Sequence, residues 1–143
     1  MFADATHTRL WMGLHGFLLI KRLQLPGWGV NDCNLMVADW IDQLNGTTQA
    51  DSIRGKYTDE RSALRFQKNY TPAPVWLTEQ GYAESNAALQ EGNIVLVEDR
   101  GYWRAHIIHA EQVWSCSPVH GVINAPLSSL EELKGKYTTW RKQ

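Results

Sequence analysis

Asp32 and Cys33 stand side by side at the head of an apolar helical pattern, directly after the turn-forming stretch "WGVN". A thiol in the first turn of a helix sits where free backbone N–H groups and the positive dipole end favour an anion. The same N–H groups can hold an oxyanion while a tetrahedral intermediate forms. A thiolate nucleophile needs a base, and the base needs a polar group to orient it. The chain offers His7, His15, His106, His109 and His120. His7 and His15 lie on or before the first helix and rank low. His106 and His109, in "AHIIH", differ by three, so a regular strand points them to opposite faces. Only one of them can face Cys33. His120 is either an orienting residue or a surface one. From residue types alone, a cysteine in a helix is more often a small buried hydrophobe than a nucleophile.

The elements that must position these groups follow from periodicity. Residues 9–23 carry apolar residues at helical spacing, weakened by Gly13 and Gly16. Pro26, Gly27 and Gly29 then demand a turn. Asp32 is an N-cap candidate for a helix over Cys33–Leu44, with Met36, Val37, Trp40, Ile41 and Leu44 on one face and "NG" at its end. A third helix is expected over Thr58–Asn69, and a short one over "VWLTEQ" before Gly81. After residue 90 the period changes to that of strands. "NIVLVED", "YWRAHIIH", "EQVWSC" and "VHGVINA" read as an antiparallel sheet, followed by a short helix and a last edge strand, "YTTWRKQ". The expected class is α+β, N-terminal helices packed on a C-terminal antiparallel sheet of four to five strands. Residues 1–143 are expected to form a single domain.

Composition narrows the function. The net charge of −1, from 14 basic and 15 acidic residues, gives no electrostatic reason for a nucleic-acid partner. The apolar run "GFLLI" is too short to span a bilayer and lacks the flanks of a signal peptide, so no membrane anchor is expected and synthesis in the cytoplasm is. Two cysteines imply no disulfide scaffold, although a Cys33–Cys116 bridge is possible. Cys33, His106, His109 and Cys116 carry the atoms zinc takes, but there is no C-x-x-C pair and the two strand histidines diverge. No metal and no cofactor are expected. Of seven tryptophans, those at 28, 76, 103 and 114 fall near the site elements, as groove walls or as core. Asp39 is placed to pair with Arg54 or Arg61.

The stretch "WG", then "DC", an apolar helix, "GNIVLV" and "AHIIHAEQVW" resembles the NlpC-type branch of papain-like cysteine peptidases. It is more closely similar to a phage and prophage family found beside tail genes, through the "NDC" helix and "RGKYTDERSALR" at residues 54–65. The resemblance covers residues 10 to 141. It implies Cys33 as nucleophile and His106 as base, with the third polar group drawn from Ser115, Ser117 or His120. Asp32 and Trp28 would shape the oxyanion region. Three positions depart from the peptidase pattern: Pro26 replaces a tyrosine, Asn34-Leu35 replaces Ser-Gly, and Gly92-Asn93 replaces Gly-Asp. The resemblance implies a structural protein of the phage tail tip or hub, with neighbouring tail proteins as partners, located in the virion tail after assembly in the host cytoplasm. The alternative is an active endopeptidase that cuts peptidoglycan peptides during genome entry.

Overall fold

The computed structural model describes residues 5–86, 89–133 and 135–143. Helices α1 (Ala5–Arg22), α2 (Cys33–Asn45), α3 (Glu60–Lys68) and α4 (Ala73–Glu79) come first, with a 3₁₀ turn at Gln49–Ser52. Strand β1 (Tyr82–Ser85) follows, then β2 (Ile94–Asp99), β3 (Tyr102–His109), β4 (Gln112–Ser117) and β5 (Gly121–Pro126). A 3₁₀ segment, Leu127–Leu133, leads to β6 (Tyr137–Lys142). The six strands form one antiparallel sheet in the order β1-β6-β2-β3-β4-β5. The fold is α+β, as the pattern predicts, with one strand more than expected.

Each helix begins and ends for a local reason. Asp32 caps α2 by accepting from the Leu35 N–H, and Gly46 ends it in the left-handed conformation at φ 67°. Asp59 and Ser62 form a reciprocal capping box on α3. Pro74 lies within the first turn of α4, where its missing N–H removes no helix bond, so it starts the helix rather than interrupting it. The two faces of the sheet are covered unequally. Ile94, Leu96, Ala105, Ile107 and Trp140 pack against Leu14, Leu35, Met36, Trp40 and Ile41 from the helices. On the other face a smaller cluster joins Val95, Val97, Ile108 and Val113 to Leu130 of the 3₁₀ segment.

Two expectations are corrected. "YTTWRK" is not an edge strand: β6 lies between β1 and β2, with Ile94 opposite Trp140 and Tyr82 opposite Lys142. The edge on that side of the sheet is β1, which periodicity does not reveal. Its four residues are too short for a period-2 pattern, and its partner lies at the far end of the chain. The terminal "LSSLEEL" is 3₁₀ rather than α-helical.

Polar contacts fix α1 and the segment after α2. Asp39 on α2 binds Lys21 of α1 and, at 2.6 Å, Arg54; Arg61 is not its partner. Lys21 is almost fully buried, so Asp39 supplies the counter-charge that its desolvation requires. A second tie runs through ring nitrogens. His15 Nδ1 lies 3.0 Å from His109 Nε2, and His109 Nδ1 lies 2.6 Å from Glu91 Oε2. His109 is fully buried, and Trp11 stacks on His15. This chain holds α1 to β3.

Asp39→Asn leaves the Lys21 ammonium without a full counter-charge, and is expected to cost about 3 kcal/mol in urea unfolding. Arg54→Gln, on the more exposed arm, is expected to cost less than about 1 kcal/mol. Equal, small losses from both substitutions would mean that Lys21 does not depend on this carboxylate.

Candidate functional site

The loop before α2 is built around one glycine and one carboxylate. Gly27 and Asn31 pair through two backbone hydrogen bonds of 3.0 Å, closing a tight turn. Gly29, at its tip, has φ +73°, and a Cβ there would lie 2.0 Å from the Tyr57 carbonyl oxygen. No other residue fits. Asp32 is buried and accepts three hydrogen bonds: from Leu35 N–H at 3.0 Å, Gly29 N–H at 3.0 Å and the Tyr57 hydroxyl at 2.7 Å. Each carboxylate oxygen is therefore engaged in holding loop, helix and the following segment together.

Cys33 follows at the first position of α2, half-buried. Of the two readings open for a thiol at a helix start, an anion favoured by the helix end or a small buried hydrophobe, burial prevails. The thiol is pushed up to about 12, first by burial and second by the Asp32 charge; the Ala105 N–H, Arg104 and the Asn34 N–H oppose this without prevailing. The physical reason lies partly in the cap. The positive end of the helix already carries the Asp32 carboxylate, and a second anion beside it is disfavoured. Cys33 and Cys116 are both free thiols.

The start of α2 meets β3 where β4 has left it. Pairing between β3 and β4 is confined to Ile107–Trp114, Ile108–Val113 and His109–Gln112. Upstream, side-chain amides serve the β3 backbone instead. Asn34 Nδ2 donates to the Trp103 carbonyl at 3.0 Å, and the Ala105 N–H donates to Asn34 Oδ1 at 3.0 Å. Gln67 of α3 closes the pattern with two 2.8 Å bonds to the N–H and carbonyl of Trp103. These amides satisfy backbone groups that a strand would otherwise satisfy.

A groove of about 430 Å³ lies where the start of α2 meets β3, the splayed β4 and the Leu127–Leu133 segment. Cys33, Asp32, Trp28, His106, Ser115 and Ser117 all border it. The structure thus brings Cys33 and His106 to one groove, but among the described residues no hydrogen bond links them. The His106 imidazole is held below its usual pKa by burial, and its Nδ1 lies 3.4 Å from the Val95 carbonyl. A carbonyl only accepts, so Nδ1 carries the proton and Nε2 keeps its lone pair. Ser117 is occupied: its Oγ accepts from the N–H groups of Val119 and His120, both at 3.1 Å. The expectation that His120 joins the site is not met. It is exposed on the β4–β5 turn and does not line the groove. Of the three candidates for an orienting group, Ser115 alone borders the groove without such a commitment.

Sequence reasoning missed Tyr102, Arg104 and Glu60, which also border the groove. The first two had a readable signal, since Tyr102, Arg104 and His106 alternate along β3 and share its face. Glu60 had none, because it comes from α3. Trp76 and Trp103 line a separate apolar cavity beneath α3 and α4, and Trp114 donates its indole N–H to the His109 carbonyl in the core. Among the described residues no three His, Cys, Asp or Glu converge as a metal site, and no helix is long and apolar enough to cross a membrane.

Comparison with known families gives one match: a family described as "Domain of unknown function (DUF6950)", over residues 14–140. That span runs from the middle of α1 into β6 and includes every groove residue named above. No curated protein matches the chain.

Two outcomes follow from this geometry. Gly29→Ala is expected to destabilise the protein by at least about 3 kcal/mol, through its positive φ and the clash with Tyr57, read by thermal or urea unfolding. The second concerns alkaline pH. The unfolded thiol of Cys33 ionises near 9.0, whereas the folded one keeps its proton to about 12. The Cys116 thiol is likewise raised, to about 11, and the Tyr82 phenol to about 12, each by burial. Between these values the folded state holds protons that the unfolded state has lost. Stability is therefore full below pH 9 and falls as pH rises. Urea midpoints taken from pH 8 to 11 should decline, and Cys33→Ala should flatten the decline. A midpoint unchanged to pH 11 would contradict the burial of these groups.

Proposed function

The chain belongs to the DUF6950 family, and we propose that it is a structural protein of the phage tail tip or hub, built on an NlpC-like fold whose thiol does no catalysis. The resemblance of the "NDC" helix and of "RGKYTDERSALR" to tail-associated proteins supports the setting. One observation carries the loss of chemistry: Cys33 stands at the helix start, but among the described residues no hydrogen bond joins it to an imidazole, and burial together with the Asp32 charge raises its thiol rather than lowering it. Neighbouring tail proteins are the partners, and the virion tail is the location after assembly in the host cytoplasm.

A second reading has its own support. His106 borders the same groove with Nε2 free to accept a proton. Closing the gap between His106 and Cys33 on substrate binding would make a peptidase acting on peptidoglycan peptides: His106 takes the Cys33 proton, the thiolate attacks the amide carbon, the C–N bond breaks as His106 protonates the leaving amine, and water then hydrolyses the thioester.

Iodoacetamide labelling of Cys33 across pH 6–10 separates the two. The structural reading expects slow labelling that rises only toward alkaline pH and is unchanged in His106→Ala. Fast labelling near neutral pH, lost in that variant, would establish an activated pair. In phage carrying Cys33→Ala, normal particles and normal infection are expected. Particles that assemble but fail to cross the cell wall would favour the enzyme, and absence of the protein from purified virions would remove the tail assignment.

A further inference from the structure

Helix α1 has the composition of a buried helix and the position of a surface one. Its inner face, Leu14, Phe17 and Leu18, is buried against the core. One apolar stripe is enough to dock a helix on one core. A second stripe runs along the outside. Met12, Gly16, Leu19, Ile20 and Leu23 recur at i, i+4, i+7, i+8 and i+11, which places them on one face. Met12 is 64% exposed, Ile20 62% and Leu23 87%. Gly16 lies mid-stripe, and a Cβ there would meet nothing within 4 Å. It leaves a shallow place for a ridge from another surface. The apolar surface extends past the helix end through Leu25 and Val30, both exposed. The loop that carries them is fixed, because Asn31 Nδ2 donates to the Leu25 carbonyl at 2.9 Å and Arg54 Nε to that of Val30 at 3.2 Å. A rigid, contiguous apolar face of this kind marks an interaction surface.

Charge decides what covers it. Between Ala5 and Arg22 the helix carries Arg9, Lys21 and Arg22 and no carboxylate. Arg9 is exposed one turn before Met12, and Arg22 is exposed with its guanidinium 5.3 Å from the Trp114 ring. At the far end, Lys21 is buried and shares the Asp39 carboxylate with Arg54, so the charge bordering the stripe is that of Arg9 and Arg22. A second copy is a poor occupant. An antiparallel pairing centred on Gly16 brings Arg9 of one copy beside Arg22 of the other, and a parallel pairing sets each arginine against itself. We infer that the outer face of α1 docks an amphipathic helix of a different protein, one whose apolar stripe is bordered by Asp and Glu. The inference does not depend on Cys33 or on the groove, and it goes beyond the tail assignment.

Two synthetic helical peptides of about 18 residues test it. They share one Leu/Ala stripe and differ only in its border, Glu in one and Lys in the other. Fluorescence anisotropy at low salt should show the Glu-bordered peptide binding at least about tenfold more tightly than its Lys-bordered twin. I20E/L23E, placed on exposed positions and checked for an unchanged circular dichroism spectrum, should lose at least about tenfold in affinity. The double reversal R9E/R22E should exchange the preference between peptides. Equal binding of both peptides, or binding of neither, overturns the inference. So does a dimer in light scattering that I20E/L23E abolishes, which would assign the face to a second copy. Binding of the wild type, but not of I20E/L23E, to phosphatidylserine vesicles without discrimination between the peptides would assign it to a membrane surface and also overturn it.

Discussion

The carboxylate of Asp32 accepts from the first turn of α2, from the tip of the preceding loop and from the Tyr57 hydroxyl. The loop and the helix start on either side of Asp32, and the distant Tyr57, thereby share one buried charge, and the position of Cys33 follows from theirs. A buried carboxylate is tolerable only when such donors replace its water. Gly29 is part of the same constraint, since its N–H reaches Asp32 only because no side chain separates the loop from Tyr57. The arrangement has a chemical consequence. The group that organises the site also places a negative charge next to the thiol, which adds to burial in keeping it protonated. Order at this corner is obtained against thiolate formation.

The groove arises from incomplete strand pairing. β4 follows β3 only through Ile107–His109, then diverges. Backbone groups left exposed by that divergence would ordinarily cost free energy or recruit another strand. Asn34 and Gln67 meet them with amide groups that reproduce the donor and acceptor of a peptide unit. The helical layer is thereby bonded to the sheet rather than merely resting on it.

α1 is held differently. Its contacts with the core are apolar along Leu14, Phe17 and Leu18, and polar ties run from His15 toward His109 and Glu91 and from Lys21 toward Asp39. Both polar ties reach residues with little or no exposure, where low dielectric strengthens them. They orient the helix about its own axis, and so determine which of its two apolar stripes faces outward.

What the amino-acid sequence determined by itself was local. The Asp32 cap, the stop at Gly46, the turn at Gly27–Asn31 and the β-branched, apolar runs of β2 and β3 each depend on a few neighbouring residues, and each was legible. The opposite faces of His106 and His109 were legible for the same reason, since a strand's period is two. The tertiary structure alone decided the rest. β1 exists because β6 offers it an edge, a pairing between residues some sixty positions apart along the chain that four residues, "YAES", cannot announce. The thiol of Cys33 is raised because burial and a carboxylate act on it together, and burial is a property of the packed chain. His120 has the chemistry of an orienting residue and falls on an exposed turn. Glu91, His109 and His15 meet only once α1 has crossed the sheet. Propensity and capping act over a single turn, whereas desolvation and long-range pairing need the finished fold.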